Sequence, residues 1–500
     1  MNRTNHYLVP SFHIMFTILI AFIIYQASVN NSQYFYNSTL IASTLLGLTI
    51  MIIGCILINK FQITIEKKYN YIVTIFLIVM FLMQVGVGVT FLRYSPAWDL
   101  SAIYDGAIEW LEDGNINRFE EYYYYYPNNF GGLIFLKSIF SASRFLGITD
   151  YFMVATITNS ILITLMMWAI VRISTKLLGK IYGISSIVII CLLYPLYFIG
   201  PVFYTDGLTM AFPAIIYYLY LVSKECTTMY KRVSIYIFMG ILTSFGAQIK
   251  FTVLIIAIAV IIELLINKQL KRGLVFTLII ATTMVSTAFL TDTIMYNNLL
   301  NKSQAETQNT PYISWIMMGL KRNGTYNDED TSFVRSFDSV ENRDTAIKQE
   351  ISNRIEMLGF RGMFHLIETK TQRCFGDGTL GLSDFLDDNP EKETVLHQFI
   401  TYDGEYYLIY QTLCHGTFLA ILILMFLSSL ECIINTKSNI YTSIAPKVAF
   451  LGIWLFLMMW ESTARYFSNF ISMMIVVATM GMAYCIQIIK SIIIPNKENQ

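Results

Sequence analysis

Apolar stretches recur along the whole chain, and short polar segments separate most of them. Each stretch has about 20 residues, the length that a helix needs to cross the hydrocarbon core of a bilayer. The pattern predicts twelve membrane spans, at 12–29, 38–58, 71–91, 152–171, 181–199, 207–223, 233–248, 251–267, 273–292, 406–428, 447–462 and 466–489. The chain is therefore expected to be an all-α integral membrane protein.

Two hydrophilic stretches interrupt the apolar segments: a first hydrophilic stretch at 92–151 and a second hydrophilic stretch at 293–405. They leave three predicted spans in 1–91, six in 152–292, and three with a C-terminal tail in 406–500. Both stretches follow an odd-numbered span. They are therefore expected on the same side of the membrane.

The composition agrees with this interpretation. The chain has 500 residues, of which 55% are hydrophobic and only 14% charged, whereas soluble proteins carry about 25% charged residues. An ordinary soluble enzyme, a disordered chain and a nucleic-acid binder are excluded. The seven cysteines include neither a C-x-x-C pair nor a Cys/His cluster, so no metal site is predicted. A requirement for a divalent cation is left open.

Lysine and arginine are concentrated in the segments that follow even-numbered spans and near the termini. These residues are Arg3, Lys60, Lys67, Lys68, Arg172, Lys176, Lys180, Lys224, Lys231, Arg232, Lys268, Lys271, Arg272, Lys437, Lys447, Lys490 and Lys497. By the positive-inside rule, these segments and both termini lie in the cytoplasm. The chain is expected in the plasma membrane, with both hydrophilic stretches facing outward.

Residues 130–147 are apolar enough to suggest a thirteenth span, but Lys137 and Arg144 interrupt them. A span here would also turn every later basic segment outward. A helix lying in the outer membrane interface is the better prediction. Residues 100–111 form a second such helix, with apolar positions at helical spacing. The tyrosine run at 122–126 joins the two helices.

The second hydrophilic stretch also carries helical signals. A stripe of apolar residues runs through 343–358, Glu350 and Arg354 are spaced to pair on one face, and Gly359 is suited to end the helix. Another short helix is predicted over 361–373. The stretch is expected to bind an acceptor or act as a lid, with plain solvated helices as the alternative.

Five short motifs lie at span ends or in the first hydrophilic stretch. They are Trp98-Asp99, Tyr126-Pro127-Asn128, Tyr204-Thr205-Asp206, Gln248-Ile249-Lys250, and Glu461 with Arg465-Tyr466. With these motifs the chain resembles the GT-C class of membrane glycosyltransferases, which includes the protein O-mannosyltransferases and the aminoarabinose lipid A transferases. Many O-mannosyltransferases have a paired Asp-Glu in the first loop. This chain lacks that pair, so Asp99 would act alone.

The second hydrophilic stretch contains PYISWIMMGLKRNGTY at 311–326 and KTQRCFGDGTLG at 370–381. These segments resemble family-39-like membrane proteins of Gram-positive bacteria. The resemblance implies a GT-C-like fold and inverting transfer of one sugar from a polyprenyl phosphate such as undecaprenyl phosphate. The acceptor would be a cell-envelope glycan, for example a wall polysaccharide or teichoic acid. The implied partners are this lipid donor, the glycan acceptor and membrane lipids, with no nucleic acid.

The chemistry also follows from the compartment. Nucleotide sugars are absent outside the cytoplasm, so an outward transferase needs a donor that is held in the membrane. Its site needs a carboxylate to take the proton of the acceptor hydroxyl, and a cation to stabilise the departing lipid phosphate. Asp99 is the candidate base, with a simple helix N-cap as the alternative.

Three cations are candidates for binding the lipid phosphate. They are Lys250, in a short outer turn, Arg465, beyond the eleventh span, and Arg144. The alternative for Arg465 is an ion pair with Glu461, four residues earlier on one helix face. A charged residue at a membrane boundary is nevertheless a candidate for function.

The predicted substrate-binding residues are Tyr126, Asn128, Asp206 and Glu461. The alternative for the tyrosine run is an aromatic belt at the membrane surface. Two other functions remain open for the whole chain. One is a transporter or flippase of lipid-linked glycans without chemistry, and the other is a glycan polymerase or ligase.

Overall fold

The computed structural model describes residues 5–29, 37–387, 389–436 and 440–493. Within these ranges the secondary structure is helical and contains no β-strand, apart from an isolated bridge between Tyr94 and Pro390. The basic residues Arg3, Lys437 and Lys497 lie outside the described residues. The all-α prediction is confirmed for the part of the chain that is described.

The helices are, in chain order, α1 (Asn5–Ser28), α2 (Asn37–Lys60), α3 (Gln62–Thr90), α4 (Trp98–Asp113), α5 (Glu120–Tyr125), α6 (Phe130–Phe145), α7 (Tyr151–Leu178), α8 (Lys180–Leu192), α9 (Thr205–Thr209), α10 (Ala211–Glu225), α11 (Met229–Ile249), α12 (Leu254–Ile266), α13 (Leu270–Asn298), α14 (Lys302–Gln308), α15 (Tyr312–Gly319), α16 (Asp328–Arg335), α17 (Val340–Phe375), α18 (Ser383–Leu386), α19 (His397–Ile400), α20 (Tyr407–Ile434), α21 (Ala445–Met459) and α22 (Ile471–Ile493).

Nine helical segments of the described chain are long and apolar enough to cross a membrane. They are Leu8–Ser28, Ser38–Lys60, Gln62–Thr90, Tyr151–Leu178, Thr205–Glu225, Met229–Ile249, Leu270–Asn298, Tyr407–Ile434 and Ser468–Ile492. Each coincides with one of the twelve predicted spans. The other three predicted spans fall on the shorter apolar helices Lys180–Leu192, Phe251–Ile266 and Ala445–Met459. The count of twelve spans therefore stays a prediction.

Two of the shorter helices end earlier than the apolar pattern predicts. Helix α8 has 13 residues and α21 has 15, which gives lengths of about 20 to 22 Å at 1.5 Å per residue. A bilayer core is about 30 Å thick. Pro195 lies in the 3₁₀ turn Tyr194–Tyr197 that follows α8. Proline removes a backbone donor and interrupts the helical hydrogen bonds, so α8 does not continue through this turn.

Buried amide side chains satisfy the backbone that follows α8. The side-chain nitrogen of Asn159 donates to the carbonyl oxygens of Ile199, Gly200 and Val202 at 2.9, 3.0 and 3.0 Å. Gln84 donates to the carbonyl of Leu196 at 2.7 Å. Irregular backbone at membrane depth is tolerated only where protein or a cavity satisfies it. These contacts allow the chain to end a helix early inside the bundle.

The two helices predicted in the first hydrophilic stretch are confirmed as α4 and α6, and neither is a candidate span. They pack together through Tyr104 and Phe140, whose ring centroids are 5.7 Å apart. Gly131 lies so close to α11 that an added Cβ would approach the carbonyl oxygen of Gln248 within 2.1 Å. The first hydrophilic stretch is thereby fixed against the end of α11.

Helix α17 confirms the predicted helices of the second hydrophilic stretch. It bends at Gly359, which has φ of +55°, a conformation that favours glycine. Arg354 pairs with Glu350 at 2.8 Å, as the spacing predicts, and also with buried Asp330 at 2.7 Å. This second contact attaches α17 to α16.

The tyrosine run connects the two hydrophilic stretches. Asn301 donates its amide to the Tyr124 hydroxyl at 3.1 Å, and Thr310 donates to the Tyr125 carbonyl at 2.9 Å. The guanidinium carbon of Arg335 lies 3.8 Å from the ring centroid of Tyr125. Both stretches therefore lie at the same end of the bundle. The aromatic-belt prediction is wrong for Tyr123 and Tyr124, which are buried.

Candidate active site

Asp99 lies in the first turn of α4, where its carboxylate is held by two tyrosines. Oδ1 accepts a hydrogen bond from the Tyr122 hydroxyl at 2.9 Å, and Oδ2 accepts one from the Tyr204 hydroxyl at 3.1 Å. The N-cap position is Ala97, and no side-chain capping bond is formed, so the capping alternative for Asp99 is wrong. A carboxylate has about four lone-pair positions. Each oxygen of half-buried Asp99 thus retains capacity for a further donor.

Asn129 adds a further hydrogen bond to this arrangement. Its buried side-chain nitrogen donates to the Tyr122 hydroxyl, and that hydroxyl in turn donates to Asp99. The predicted residue Asn128 is exposed and donates to Asn129 at 3.3 Å. The prediction selected the right segment, but the residue that reaches the Asp99 network is the next one along the chain.

Arg465 occupies a box of aromatic rings. Its guanidinium carbon lies 5.2, 5.0 and 5.4 Å from the ring centroids of Tyr204, Phe385 and Tyr466. Such cation–π contacts are worth about 0.5 to 2 kcal/mol each. The buried Nε atom has no hydrogen-bond partner, and among the described residues Arg465 forms no ion pair. The guanidinium of half-buried Arg465 lines the cavity described below, where it can bind an anion.

Glu461 does not form the predicted helical ion pair with Arg465. The span predicted to 462 ends at Met459 as a helix, and Trp460 is already extended. The Glu461 carboxylate instead accepts from the Tyr466 hydroxyl, and its Oε2 atom is buried without a partner. Burial raises the pKa of Glu461. The predicted Glu461–Arg465 ion pair is not formed because the i,i+4 relation exists only in a continuous helix.

Lys250 and Asp206 form a buried ion pair beside this site. Lys250 directly follows α11, and its ammonium donates to Oδ1 of Asp206, in the first turn of α9. The ammonium also lies 4.9 Å from the ring centroid of Tyr466. Lys250, predicted as a phosphate ligand, therefore already has an internal carboxylate. The Asp206 Oδ2 atom is buried and unpartnered.

Arg144 and Tyr126 lie away from these residues. Exposed Arg144 donates to the Leu111 carbonyl at 3.1 Å, twelve residues after Asp99 on α4. At 1.5 Å per residue this corresponds to about 18 Å along the helix. The ring of Tyr126 packs against Tyr122 and Trp315, with centroids 5.1 and 6.0 Å away. Tyr126 thus borders the Asp99 network, whereas Arg144 is not part of it.

A cavity of about 350 Å³ opens next to these residues. It is lined by Trp98, Thr325, Tyr326, Arg373, Ser383, Asp384, Asp387, Tyr402, Glu461, Ser462, Thr463, Arg465 and Tyr466. Asp99 is not part of the lining, but its partner Tyr204 contacts Arg465, which is. Trp98 has φ of +50°, which is an outlier for a bulky residue and a form of strain that often marks functional sites.

The lining combines carboxylates, two arginines and four aromatic rings, a set that suits a sugar carrying an anionic group. No group of His, Cys, Asp or Glu suited to a metal ion occurs among the described residues. Asp388, next to Asp387 in the sequence, lies outside them. We call Asp99, Tyr122, Tyr204, Glu461, Arg465 and Tyr466 the polar cluster.

Many apolar helices, with the polar cluster at one end of the bundle, define a multi-pass integral membrane protein. The chain belongs to a family described as conserved hypothetical integral membrane protein, whose sequence model matches residues 1–486. A search of curated proteins found no match.

Proposed function

We propose that this protein is a GT-C-like membrane glycosyltransferase. It transfers one sugar from a polyprenyl phosphate, such as undecaprenyl phosphate, to a cell-envelope glycan on the outer side of the plasma membrane. The observation that carries the proposal is the carboxylate of Asp99, which two tyrosine hydroxyls orient, while one of these rings also contacts the unpaired cation of Arg465. A base and an anion-binding group are thereby brought together.

The reaction proposed is a single displacement. The acceptor hydroxyl oxygen attacks the anomeric carbon, and its proton passes to Asp99. The bond between the anomeric carbon and the phosphate oxygen breaks, and the polyprenyl phosphate leaves with the electron pair. Attack opposite to the leaving group inverts the configuration. A positioned base of this kind contributes about 100- to 10,000-fold.

Arg465 is proposed to bind the lipid phosphate. It is the cation of the polar cluster that has no carboxylate partner among the described residues. The positive charge of Lys250 is paired with the carboxylate of Asp206, and its ammonium also lies against the ring of Tyr466. Glu461 and the cavity aromatics are proposed to hold the sugar, with Tyr126 at the edge.

The proposed orientation follows from the charge distribution. Arg172, Lys176 and Lys224 lie near the ends of α7 and α10, whereas the polar cluster lies at the starts of α4 and α9 and after α21. Consecutive antiparallel spans place these two sets at opposite ends of the bundle. The positive-inside rule then favours cytoplasmic termini and an outward cavity.

The first test compares lipid-linked and wall glycans in cells with and without the protein. The proposal expects loss of one sugar from an envelope glycan and accumulation of the corresponding polyprenyl-phosphate sugar. Loss of the sugar with its lipid-linked donor confined to the inner leaflet would favour the transporter alternative. Altered chain length without loss of a sugar would favour a polymerase or ligase.

The second test uses the donor identified in this way, with purified protein in lipid nanodiscs. Asp99→Asn should lower transfer by about 100- to 10,000-fold while the lipid donor still binds. Glu112→Gln, an exposed change on the same helix, is the matched control. Normal turnover in Asp99→Asn would refute Asp99 as the base.

A further inference from the structure

Lys370 is a fully buried lysine in the second half of α17, outside the candidate membrane spans. Its ammonium donates to three backbone carbonyls: Gly319 at 3.1 Å, Met458 at 2.9 Å and Trp460 at 2.5 Å. Gly319 ends α15, and Met458 and Trp460 lie at the end of α21. The last carbonyls of a helix have no partner within the helix. One side chain therefore satisfies the ends of two helices.

The backbone around Lys370 is closely fitted to it. Gly324 has φ of +78°, and an added Cβ there would lie 2.8 Å from Cδ and Cε of Lys370. The Gly324 carbonyl accepts from the Ser462 amide at 2.9 Å, and the Trp315 carbonyl accepts from the Glu461 amide at 3.2 Å. The segment 460–462 is thus held by the second hydrophilic stretch on both sides of Glu461.

We propose that Lys370 is a positioning residue that fixes segment 460–462 and thereby directs the Glu461 carboxylate into the cavity. The inference rests on the proposed function only in treating Glu461 as a substrate-binding group. The backbone contacts stand independently of it. Lys370 itself does not line the cavity and touches no proposed reacting atom.

The chemistry of lysine suits this role. An ammonium has three N–H donors, and each is used by one of the three carbonyls. Burial lowers the pKa of Lys370 to about 8. The neutral amine has only two N–H donors, so one carbonyl loses its partner as the pH rises through this value.

The charged and titratable neighbours do not replace Lys370 in this range. Burial raises the pKa of the Cys374 thiol to about 12, which keeps the thiol neutral. Glu461 and Arg373 are the other groups facing this region. Among the described residues, the Glu461 carboxylate acts as an acceptor, and exposed Arg373 makes no hydrogen bond to these carbonyls. The hold on segment 460–462 is therefore expected to weaken above pH 8.

The test is hydrogen–deuterium exchange of the full-length protein in nanodiscs, combined with the transfer assay. Lys370→Met removes all three donors and should speed exchange of the Glu461 and Ser462 amides by at least about 10-fold, the effect of one net hydrogen bond. Transfer should fall by a similar factor. Lys348→Met, an exposed lysine on the same helix, is the control and should change neither. In the unmodified chain, exchange corrected for intrinsic rates should rise between pH 7 and 9, and Lys370→Met should lose that rise.

The possible outcomes separate this inference from the proposed function. Faster exchange limited to 460–462 with slower transfer supports it, and the same exchange in a protein without transferase activity leaves the positioning role intact while refuting the function. Unchanged exchange in Lys370→Met overturns the inference. It is also overturned if exchange rises equally in all helices, or if exchange rises while an active protein transfers sugar at the normal rate.

Discussion

The ring of Tyr204 lies between Asp99 and Arg465. Its hydroxyl is 3.1 Å from Oδ2 of Asp99, and its ring centroid is 5.2 Å from the guanidinium carbon of Arg465. One side chain thus contacts both the proposed base and the proposed phosphate ligand. The hydroxyl donates to the carboxylate and the ring contacts the guanidinium, so the two contacts can be removed separately.

Changes at Tyr204 and Arg465 should therefore reduce transfer in different ways. Tyr204→Phe keeps the ring and removes one hydrogen bond to Asp99, which should slow turnover by about 10-fold without weakening donor binding. Arg465→Gln removes the charge and should lower kcat/KM by about 30- to 1,000-fold, or 2 to 4 kcal/mol. Both are measured by steady-state transfer and by binding of the lipid donor.

The control for Arg465 is Arg373→Gln, because Arg373 lines the same cavity but is exposed. It should change kcat/KM less than Arg465→Gln. Equal losses in the two arginine variants would show that the general positive charge of the cavity matters, rather than the particular position of Arg465 among the aromatic rings.

Lys250 and Asp206 should act mainly on stability. Lys250→Met leaves a buried carboxylate unpaired, which costs about 3 to 5 kcal/mol in the free energy of unfolding. Adding Asp206→Asn should recover much of that loss, because the double variant has no unpaired buried charge. The measurement is thermal unfolding in detergent. Full stability of Lys250→Met would show that the pair with Asp206 does not stabilise the fold.

Glu461 should make stability depend on pH. Burial raises its folded-state pKa above the ordinary value, so the folded protein holds this proton more tightly than the unfolded chain does. Stability from this group is present below its unfolded pKa and falls as the pH rises toward the folded value. Glu461→Gln should remove this fall, so the variant should be more stable than the unmodified protein at neutral pH. It should also transfer sugar more slowly. Melting temperatures across pH 4 to 8, about the range in which glutamate titrates, provide the comparison.

The membrane orientation is tested with an impermeant thiol reagent on intact cells. Cysteines placed at the exposed positions Asp328 and Glu393, in the second hydrophilic stretch, should react. A cysteine at exposed Lys180, in a predicted cytoplasmic segment, should react only after permeabilisation. Reversed labelling would contradict both the orientation and the outward site.

Local signals in the sequence located the helices well. The bend of α17 was predictable from Gly359, since glycine is suited to end a helix because it readily adopts a positive φ, as Gly359 does. The Glu350–Arg354 pair was predictable because it depends on helical spacing alone. The early end of α21 was not, because the carbonyls at its end are bound by Lys370, which is distant in sequence.

The candidate site was only partly predictable for a related reason. Asp99 was found from its position, but Tyr122 and Tyr204 lie 23 and 105 residues away from it in sequence, and no periodicity connects them. Tyr466 and Tyr204 stood within the motifs that carried the resemblance. Asn129, rather than the predicted Asn128, reaches the Asp99 network. The difference depends on side-chain direction in the short 3₁₀ turn Pro127–Asn129, which the sequence alone does not specify.

The tyrosine run has a consequence for how this sequence can vary. Its members look interchangeable, but Tyr122 faces Asp99, Tyr123 donates to the Ala102 carbonyl, and Tyr124 meets Asn301. Deleting or duplicating one codon would preserve the composition and still give every later ring the wrong neighbour. Natural variants should therefore keep the length of the run and keep tyrosine at position 122. Repetitive coding sequence of this kind is expected to be intolerant of slippage.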